Sequence, residues 1–154
     1  LIARRRLRMA LEDVGWADPQ AQSICLQAWE SFERLGSPEG ELALAQAALY
    51  LALAPKSNAF YKGFANSLEM VEKTGSEPPP KHILNAPTEL MRDQGYGANY
   101  EYDHNSEDGF SGQNYFPENI DRFTSYQPVE IGFERELKKR ISYFNKLREK
   151  RKSV

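Results

Sequence analysis

Residues 42–53 read LALAQAALYLAL, and this run constrains the fold more than any other part of the sequence. It is too short and too rich in alanine to be a membrane span, which takes about 20 apolar residues. A helix that is apolar on every side must be buried on every side, at the centre of a domain or in a subunit interface. Its alanines would let neighbouring backbones approach closely, and Pro55 is expected to end it. The run therefore predicts tight helix-on-helix packing.

The flanking segments carry the usual boundary signals of further helices. Small polar residues followed by proline are typical helix starts, and glycine is a typical end. In the second of these helices, apolar residues recur at three- and four-residue steps, which predicts a core-facing stripe. The expected helices are residues 2–14 closed by Gly15, a second started by Asp18-Pro19 and ended by Gly36, a third started by Ser37-Pro38, a fourth capped by Ser57 and ended by Gly75, a short one at 88–94, and a basic one at 133–152.

Residues 95–132 lose the helical periodicity. No lysine or arginine occurs between Arg92 and Arg122, whereas carboxylates are frequent there. Eight of the eighteen aromatic rings lie between Tyr96 and Tyr126, enough to anchor an ordered loop. We expect its carboxylates to face a basic partner surface. The fold class is therefore all-α: one compact multi-helix domain, residues 1–154, with a long irregular aromatic-rich loop region before its last helix.

Composition narrows the class of protein. With 154 residues, 40% of them hydrophobic and 27% charged, the chain can bury a real core. Its single cysteine, Cys25, excludes an internal disulfide and indicates a reducing, cytoplasmic compartment. Because the sequence begins at Leu1 directly in an arginine-rich amphipathic stretch, we expect it to be a piece of a longer protein.

The residues that could support catalysis do not form a recognisable set. No phosphate-binding glycine loop is present. An EF-hand loop starting at Asp103 fails because Asp108 stands where glycine is required and Asn114 where glutamate is required. Cys25 lies on the apolar stripe, where a buried, inert thiol is expected. A general base at His104, oriented by Asp103 or Asp108, is one hypothesis, and a histidine bonded to loop backbone is the favoured alternative. We expect no catalytic, cofactor or metal site in this chain.

Basic residues collect at the two ends of the sequence. Clustered positive charge is enough to contact nucleic-acid phosphates, although most such runs are solvated faces. A DNA-binding module is therefore kept as an alternative function. Its candidate residues are Arg4, Arg5, Arg8, Lys138, Lys139 and Arg140.

Four long motifs occur in a fixed order. They are IARRRLRMALEDVGWADPQA, LAQAALYLALAPKSNAFYK, NAPTELMRDQGYG, and a closing Y-x-H followed by GQNYFPE. In this order they closely resemble the C-terminal domain of the RarA/MgsA family, replication-associated recombination ATPases that are related to the Werner-helicase-interacting protein. The most distinctive piece is ALAPKSNA, residues 52–59.

This resemblance implies a non-catalytic oligomerisation domain, typically tetrameric, in an AAA+ DNA-dependent ATPase of replication-fork maintenance, recombination and DNA repair. ATP and Mg²⁺ would be bound by an ATPase core that this chain does not contain. DNA would be contacted by the full-length protein, single-stranded-DNA-binding protein is an implied partner, and the implied location is cytoplasmic and nucleoid-associated, without a membrane. The apolar helix supplies the expected interface residues: Leu42, Leu44, Leu49, Tyr50 and Leu53.

Overall fold

The computed structural model describes residues 1–152 and confirms an all-helical fold, with no strand among those residues. The described residues divide into two units by their internal contacts. The first unit comprises residues 1–67 and 125–139, and the second comprises residues 68–124 and 140–152. The helices, in chain order, are α1 (Ile2–Met9), α2 (Ala21–Leu35), α3 (Glu39–Leu53), α4 (Ala59–Thr74), α5 (Glu89–Asp93) and α6 (Glu134–Lys152).

The first unit is built on α1, α2 and α3, and the α2–α3 contact is the most extensive one between described elements. α1 continues through a π-helical turn, Ala10–Val14, into a 3₁₀ turn, Gly15–Ala17. The core residues are small, so the helices can approach closely. This core cluster consists of Ala10, Val14, Ala21, Cys25, Ala28, Ala47 and Leu51.

Several predicted helix boundaries are confirmed. Gly36 follows α2 with a left-handed φ of 70°, and its N–H donates to the carbonyl of Phe32. Ser57 Oγ accepts from the N–H of Ala59 where α4 begins. The prediction that Ser37 caps α3 is wrong, because its hydroxyl donates to the carboxylate of Glu41 at 2.5 Å and no side-chain cap bond forms.

The segment at residues 125–134 returns to the helices of the first unit. The N–H of Phe133 donates to the carbonyl of Ala17 at 2.8 Å, and the amide of Asn66 donates to the carbonyl of Ser125. Gly63 of α4 lies so close to Tyr126 that a Cβ there would be 3.0 Å from the Tyr126 Cα. This irregular segment is therefore an integral part of the first unit.

The second unit contains α5 and most of the irregular region. Thr88 caps α5, since its Oγ1 accepts from the N–H of Met91, and a 3₁₀ turn spans Asp103–Asn105. The predicted packing of aromatic rings is confirmed by three ring contacts. The pairs and their centroid distances are Phe110–Phe144 at 5.0 Å, Phe116–Phe123 at 5.4 Å and His82–Tyr115 at 6.1 Å.

Candidate functional site

One side of α3 is exposed. Leu42, Leu49 and Leu53 are 67%, 63% and 78% exposed, and the spacing of seven and then four residues puts them on one side of the helix. Ala47 and Leu51 of the same helix are buried in the core cluster. Burial at the centre of a domain is therefore wrong for this side of the helix. We call Leu42, Leu49 and Leu53 the leucine face.

The other two predicted interface residues lie differently. Leu44 is half-buried and packs against the core cluster. Tyr50 is half-buried, and its hydroxyl donates to Asp18 Oδ2 at 2.5 Å. This hydrogen bond, helped by burial, raises the pKa of Tyr50. Tyr50 also borders the leucine face, because it lines a groove of about 370 Å³ together with Leu49 and Leu53.

The distinctive motif at residues 52–59 forms the connection between α3 and α4. Lys56 Nζ donates to the carbonyl of Leu51 at 2.6 Å. It also donates to the carbonyl of Ala54, the residue that follows the end of α3. Lysine at this position satisfies carbonyls that have no partner within the helix. The N–H of Ser57 donates to the carbonyl of Asp13 at 2.8 Å. The motif therefore ties α3 to the turn that follows α1, a structural role that its sequence did not reveal.

Arg4 and Arg5, two of the three arginines near the N-terminus that are candidates for DNA binding, have no carboxylate partner among the described residues. Arg4, Arg5 and Arg8 are all exposed. Arg8 Nε donates to Glu12 Oε1 at 2.7 Å, and this hydrogen bond raises the pKa of Arg8. Among the described residues, no carboxylate lies within ion-pairing distance of Arg4 or Arg5. The positive charge of this cluster is therefore partly offset.

The basic residues at the start of α6 are similarly engaged. Lys138 Nζ lies 2.8 Å from Glu130 Oε1, and Lys139 Nζ lies 3.8 Å from Glu136 Oε2. Arg140 follows them on the exposed surface of the helix. Carboxylates that pair with a lysine reduce the local positive potential, so this cluster is a weaker phosphate-binding surface than its sequence indicates.

The three candidates for a catalytic loop each have a different partner. Asp103 Oδ1 accepts from the N–H of Ser111 at 2.8 Å, and hydrogen bonding to Ser111 holds the pKa of Asp103 below its usual value. Asp108 Oδ1 lies 2.5 Å from Arg151 Nη2. His104 packs against Tyr102 with ring centroids 4.9 Å apart. The hypothesis of a histidine oriented by either carboxylate therefore gains no support from the geometry.

The acidic loop is partly neutralised within the chain. Arg151, 43 residues from Asp108 in the sequence, donates to Asp108 and also to the carbonyl of Ser111 at 3.1 Å. The expectation that these carboxylates face a basic partner surface is therefore wrong for Asp108, which pairs with Arg151 of the same chain. Within residues 1–152, no group of three or more His, Cys, Asp or Glu side chains is placed to hold a metal ion.

Cys25 is buried, as predicted. Its thiol donates to the carbonyl of Arg6 with 3.6 Å between the two heavy atoms. Burial raises the pKa of Cys25, and the positive charge of Arg6 opposes that shift only in part. Since the thiolate is the nucleophilic form, this environment is unfavourable for covalent catalysis.

Sequence reasoning missed a buried polar pair in the returning segment. Glu134 is fully buried at the first turn of α6, where the helix dipole favours a carboxylate, and its Oε2 accepts from the N–H of Val129 at 2.8 Å. The Tyr126 hydroxyl and Glu134 Oε1 are both buried and form no well-aligned hydrogen bond, although Glu134 lies close enough to act on the hydroxyl. Burial, together with the charge of Glu134, raises the pKa of Tyr126 to about 12. No local pattern marks this pair, because it depends on tertiary packing.

We predict that Tyr126 ionises only in strong alkali. Because the pKa of Tyr126 is higher in the folded state than in the unfolded state, it contributes to stability. This contribution is fully present below the unfolded pKa of about 10, and it is lost as the pH rises through about 12. NMR of ¹³Cζ-labelled tyrosine through the alkaline range should show a late transition that disappears in Tyr126→Phe. Glu134→Gln should move this transition to lower pH but leave it above the ordinary tyrosine value of about 10. A Tyr126 signal that titrates near the ordinary tyrosine value of about 10 in the unmodified chain would contradict the prediction.

No helix in the described part of the chain combines the length and the apolar character that crossing a bilayer requires.

Known proteins provide an independent line of comparison. Residues 1–145 match the family model described as MgsA AAA+ ATPase C terminal. Replication-associated recombination protein A of Coxiella burnetii is 48% identical over 99% of this chain, which covers 35% of that relative. The protein of the same name from Haemophilus influenzae is 42% identical over 99% of the chain, covering 34% of the relative.

ATPase WRNIP1 of Dictyostelium discoideum is also similar, being 42% identical over 82% of the chain and covered over 15% of its own length. The chain thus spans about a third, or less, of the curated relatives it matches. The helical fold, the ordered motifs and the family-model match over residues 1–145 agree, and the chain belongs to the family of MgsA AAA+ ATPase C-terminal domains.

Proposed function

We propose that this chain is a non-catalytic self-association domain and that the leucine face forms its interface. The observation that carries the proposal is the exposure of Leu42, Leu49 and Leu53 on one side of α3, while the other side is packed into the core cluster. A contiguous exposed apolar surface favours association with another protein surface. The groove beside it, lined by Tyr50 and Pro55, offers a concave surface next to the leucines.

The spacing of the leucine face suits a pair of helices. Residues seven and four positions apart recur along one side of a helix and can interdigitate with the same residues of a second copy. In a two-fold symmetric dimer the same three leucines would be buried on both copies. Complete burial of one leucine side chain is worth about 1.5–3 kcal/mol, so three per copy can support stable association.

The longer protein is a further part of the proposal. By the names of its relatives, it would be an AAA+ ATPase of replication-associated recombination, with ATP and Mg²⁺ bound outside this chain. We propose a homo-tetramer that carries DNA-dependent ATPase cores in fork maintenance and DNA repair, with DNA and single-stranded-DNA-binding protein as partners. Its proposed location is the cytoplasm, at the nucleoid.

Leu49→Asp should dissociate the assembly. Leu49 lies between the other two members of the leucine face, and a carboxylate there would have to be buried without a partner. We expect self-association to weaken about a hundredfold or more, equivalent to about 3 kcal/mol. Sedimentation velocity of the unmodified chain should show an oligomer, and the variant should sediment at the monomer mass of 17.6 kDa.

Leu90→Asp is the matched control. Leu90 is 66% exposed, like Leu49, but it lies on α5 and outside the leucine face. The control should retain the oligomer of the unmodified chain. If the unmodified chain were strictly monomeric at high micromolar concentration, self-association of this fragment would be refuted. If both variants dissociated the oligomer equally, the leucine face would be refuted as the interface.

DNA binding is the second candidate, and the observation that favours it is the exposure of Arg4 and Arg5 without described carboxylate partners. Ion pairing of Arg8, Lys138 and Lys139 counts against a strong patch. Fluorescence anisotropy with forked and single-stranded DNA tests it. Binding at low salt that is lost at moderate salt would support a phosphate-contacting surface, and no binding at low salt would exclude it.

A further inference from the structure

Part of the acidic loop lies on the last turns of α6, within the second unit. Arg151 Nη2 lies 2.5 Å from Asp108 Oδ1. Nη1 of the same guanidinium donates to the carbonyl of Ser111 at 3.1 Å and to the hydroxyl of Ser106 at 3.4 Å. We call residues 103–111 the clamped loop, because one arginine side chain holds three of its residues.

A ring contact holds the clamped loop at a second point. Phe110 packs on Phe144 of α6 with ring centroids 5.0 Å apart. Arg148 Cζ lies 5.2 Å from the centroid of the Phe110 ring. These contacts do not involve Asp108, so they keep the loop on the helix when the ion pair opens.

The same part of α6 has an exposed basic side. Tyr143, Lys146 and Lys150, here called the basic face, are all exposed, and their spacing of three and four residues puts them on one side of the helix. Among the described residues, no carboxylate lies at ion-pairing distance from Lys146 or Lys150. Glu149, the one carboxylate in this half of α6, has an interaction of its own. Arg151 follows Lys150 directly, so its charge lies at the edge of the basic face.

We propose that the basic face binds a single strand of nucleic acid and that Asp108 competes with the strand for Arg151. A carboxylate and a phosphate both accept the N–H groups that an arginine edge presents. Surfaces that bind single strands combine exposed rings with cations, because bases stack on the rings while phosphates meet the charges. The side chains of Arg151 and Asp108 are 33% and 28% exposed, so a phosphate can reach the pair. This surface serves the second candidate function, DNA binding, on which the proposal rests, and it is independent of the leucine face.

The competition lowers the affinity for a strand without abolishing it. Asp108 is held beside Arg151 within the same chain, so a phosphate must displace the carboxylate before it gains the guanidinium. An ion pair at an exposed position changes an equilibrium constant by about fivefold at most. The clamped loop therefore acts as a weak brake on strand binding, which gives the cation-poor acidic stretch a role within its own chain.

Fluorescence anisotropy with labelled oligothymidine measures the competition. Asp108→Ala frees Arg151 for a phosphate and should tighten binding at low salt by about fivefold. Glu107→Ala is the matched control, because it removes a neighbouring carboxylate that is exposed and has no partner among the described residues. The control should change the affinity by about twofold or less. In Asp108→Ala alone, the slope of the logarithm of the binding constant against that of salt should steepen by about 0.7, the value for one added phosphate contact.

Two further substitutions assign the gain to named residues. Arg151→Gln should reverse the whole gain in the Asp108→Ala background, but it should change the affinity of the unmodified chain by about twofold or less, because Arg151 is occupied there. Tyr143→Ala should weaken binding by about fivefold or more in both backgrounds, since a stacked base is lost. If Asp108→Ala disturbed the loop, Asp108→Asn, which keeps the side-chain size and removes the charge, should still tighten binding.

Several outcomes would overturn the proposal. They are a control that gains as much as Asp108→Ala, a gain that survives Arg151→Gln, and equally tight binding of duplex DNA or of polyglutamate. Binding that is lost when Arg4 and Arg5 are replaced by glutamine, but is unaffected by Tyr143→Ala, would also overturn it, while DNA binding would survive as a function of the N-terminal arginines. No binding of any variant at low salt would exclude both.

Discussion

Gly132→Ala should destabilise the first unit by about 3–5 kcal/mol. A Cβ at position 132 would lie 2.1 Å from the carbonyl oxygen of Ala17 and 3.0 Å from Pro55 Cγ. The Ala17 oxygen cannot move away freely, because it accepts the N–H of Phe133 at 2.8 Å. Gly132 also has a φ of 54°, in the left-handed region that disfavours residues with a Cβ. The substitution therefore adds a backbone clash to a conformational cost.

Gly36→Ala separates these two contributions. Gly36 belongs to the same unit and has a φ of 70°, but no atom lies within 4 Å of its added Cβ. It should lose only about 1–2 kcal/mol, the cost of the left-handed conformation. Urea unfolding followed by the fluorescence of Trp16 and Trp29, both in the first unit, measures the two variants. Equal losses would show that the clash at Gly132 is relieved by a small shift of the returning segment.

Helix positions could be predicted from the sequence because their signals are local. Gly36, Pro55 and Gly75 end helices in the structure as their residue types predict, since each acts on its own backbone. Two predicted N-caps are exceptions. Asp18 does not cap α2, because the N-cap position is Gln20 and no side-chain cap bond forms there. Ser37 is the second. The Ser37 hydroxyl donates to the carboxylate of Glu41, one turn further along the chain, and this competing local bond replaces the expected cap.

The exposed side of α3 could not be predicted in the same way. Residues 42–53 are apolar on every side, so the sequence contains no periodicity that separates Leu49 from Leu51. Only tertiary packing in the core cluster determines that Leu51 is buried and Leu49 exposed. The alternative that the pattern left open, a subunit interface, stays a prediction for the exposed leucines.

Long-range pairs were the least predictable part of the candidate sites. Asp108 meets Arg151 across 43 residues of sequence, and Tyr126 lies against Gly63 of a different helix. Neither pair has a local signature, because both depend on how the irregular region folds back within its unit.

Ala47→Leu should destabilise the first unit by about 2–3 kcal/mol. Ala47 is 1% exposed and packs in the core cluster with Cys25, Ala28 and Leu51. The larger side chain needs space that the close approach of α2 and α3 does not provide, so helices must separate or neighbouring rotamers must strain. Alanine and leucine have similar helix propensities, so the loss measures packing and not helix formation.

Ala52→Leu makes the same change on an exposed part of α3 and is the matched control, expected to change stability by about 0.5 kcal/mol or less. Both substitutions are best made in the Leu49→Asp background, so that loss of self-association does not contribute to the difference. Urea unfolding by tryptophan fluorescence and by far-UV circular dichroism gives both values. If Ala47→Leu proved as mild as Ala52→Leu, the small residues of the core would not be what holds α2 and α3 together, and the apolar run would have to act mainly through its leucine face.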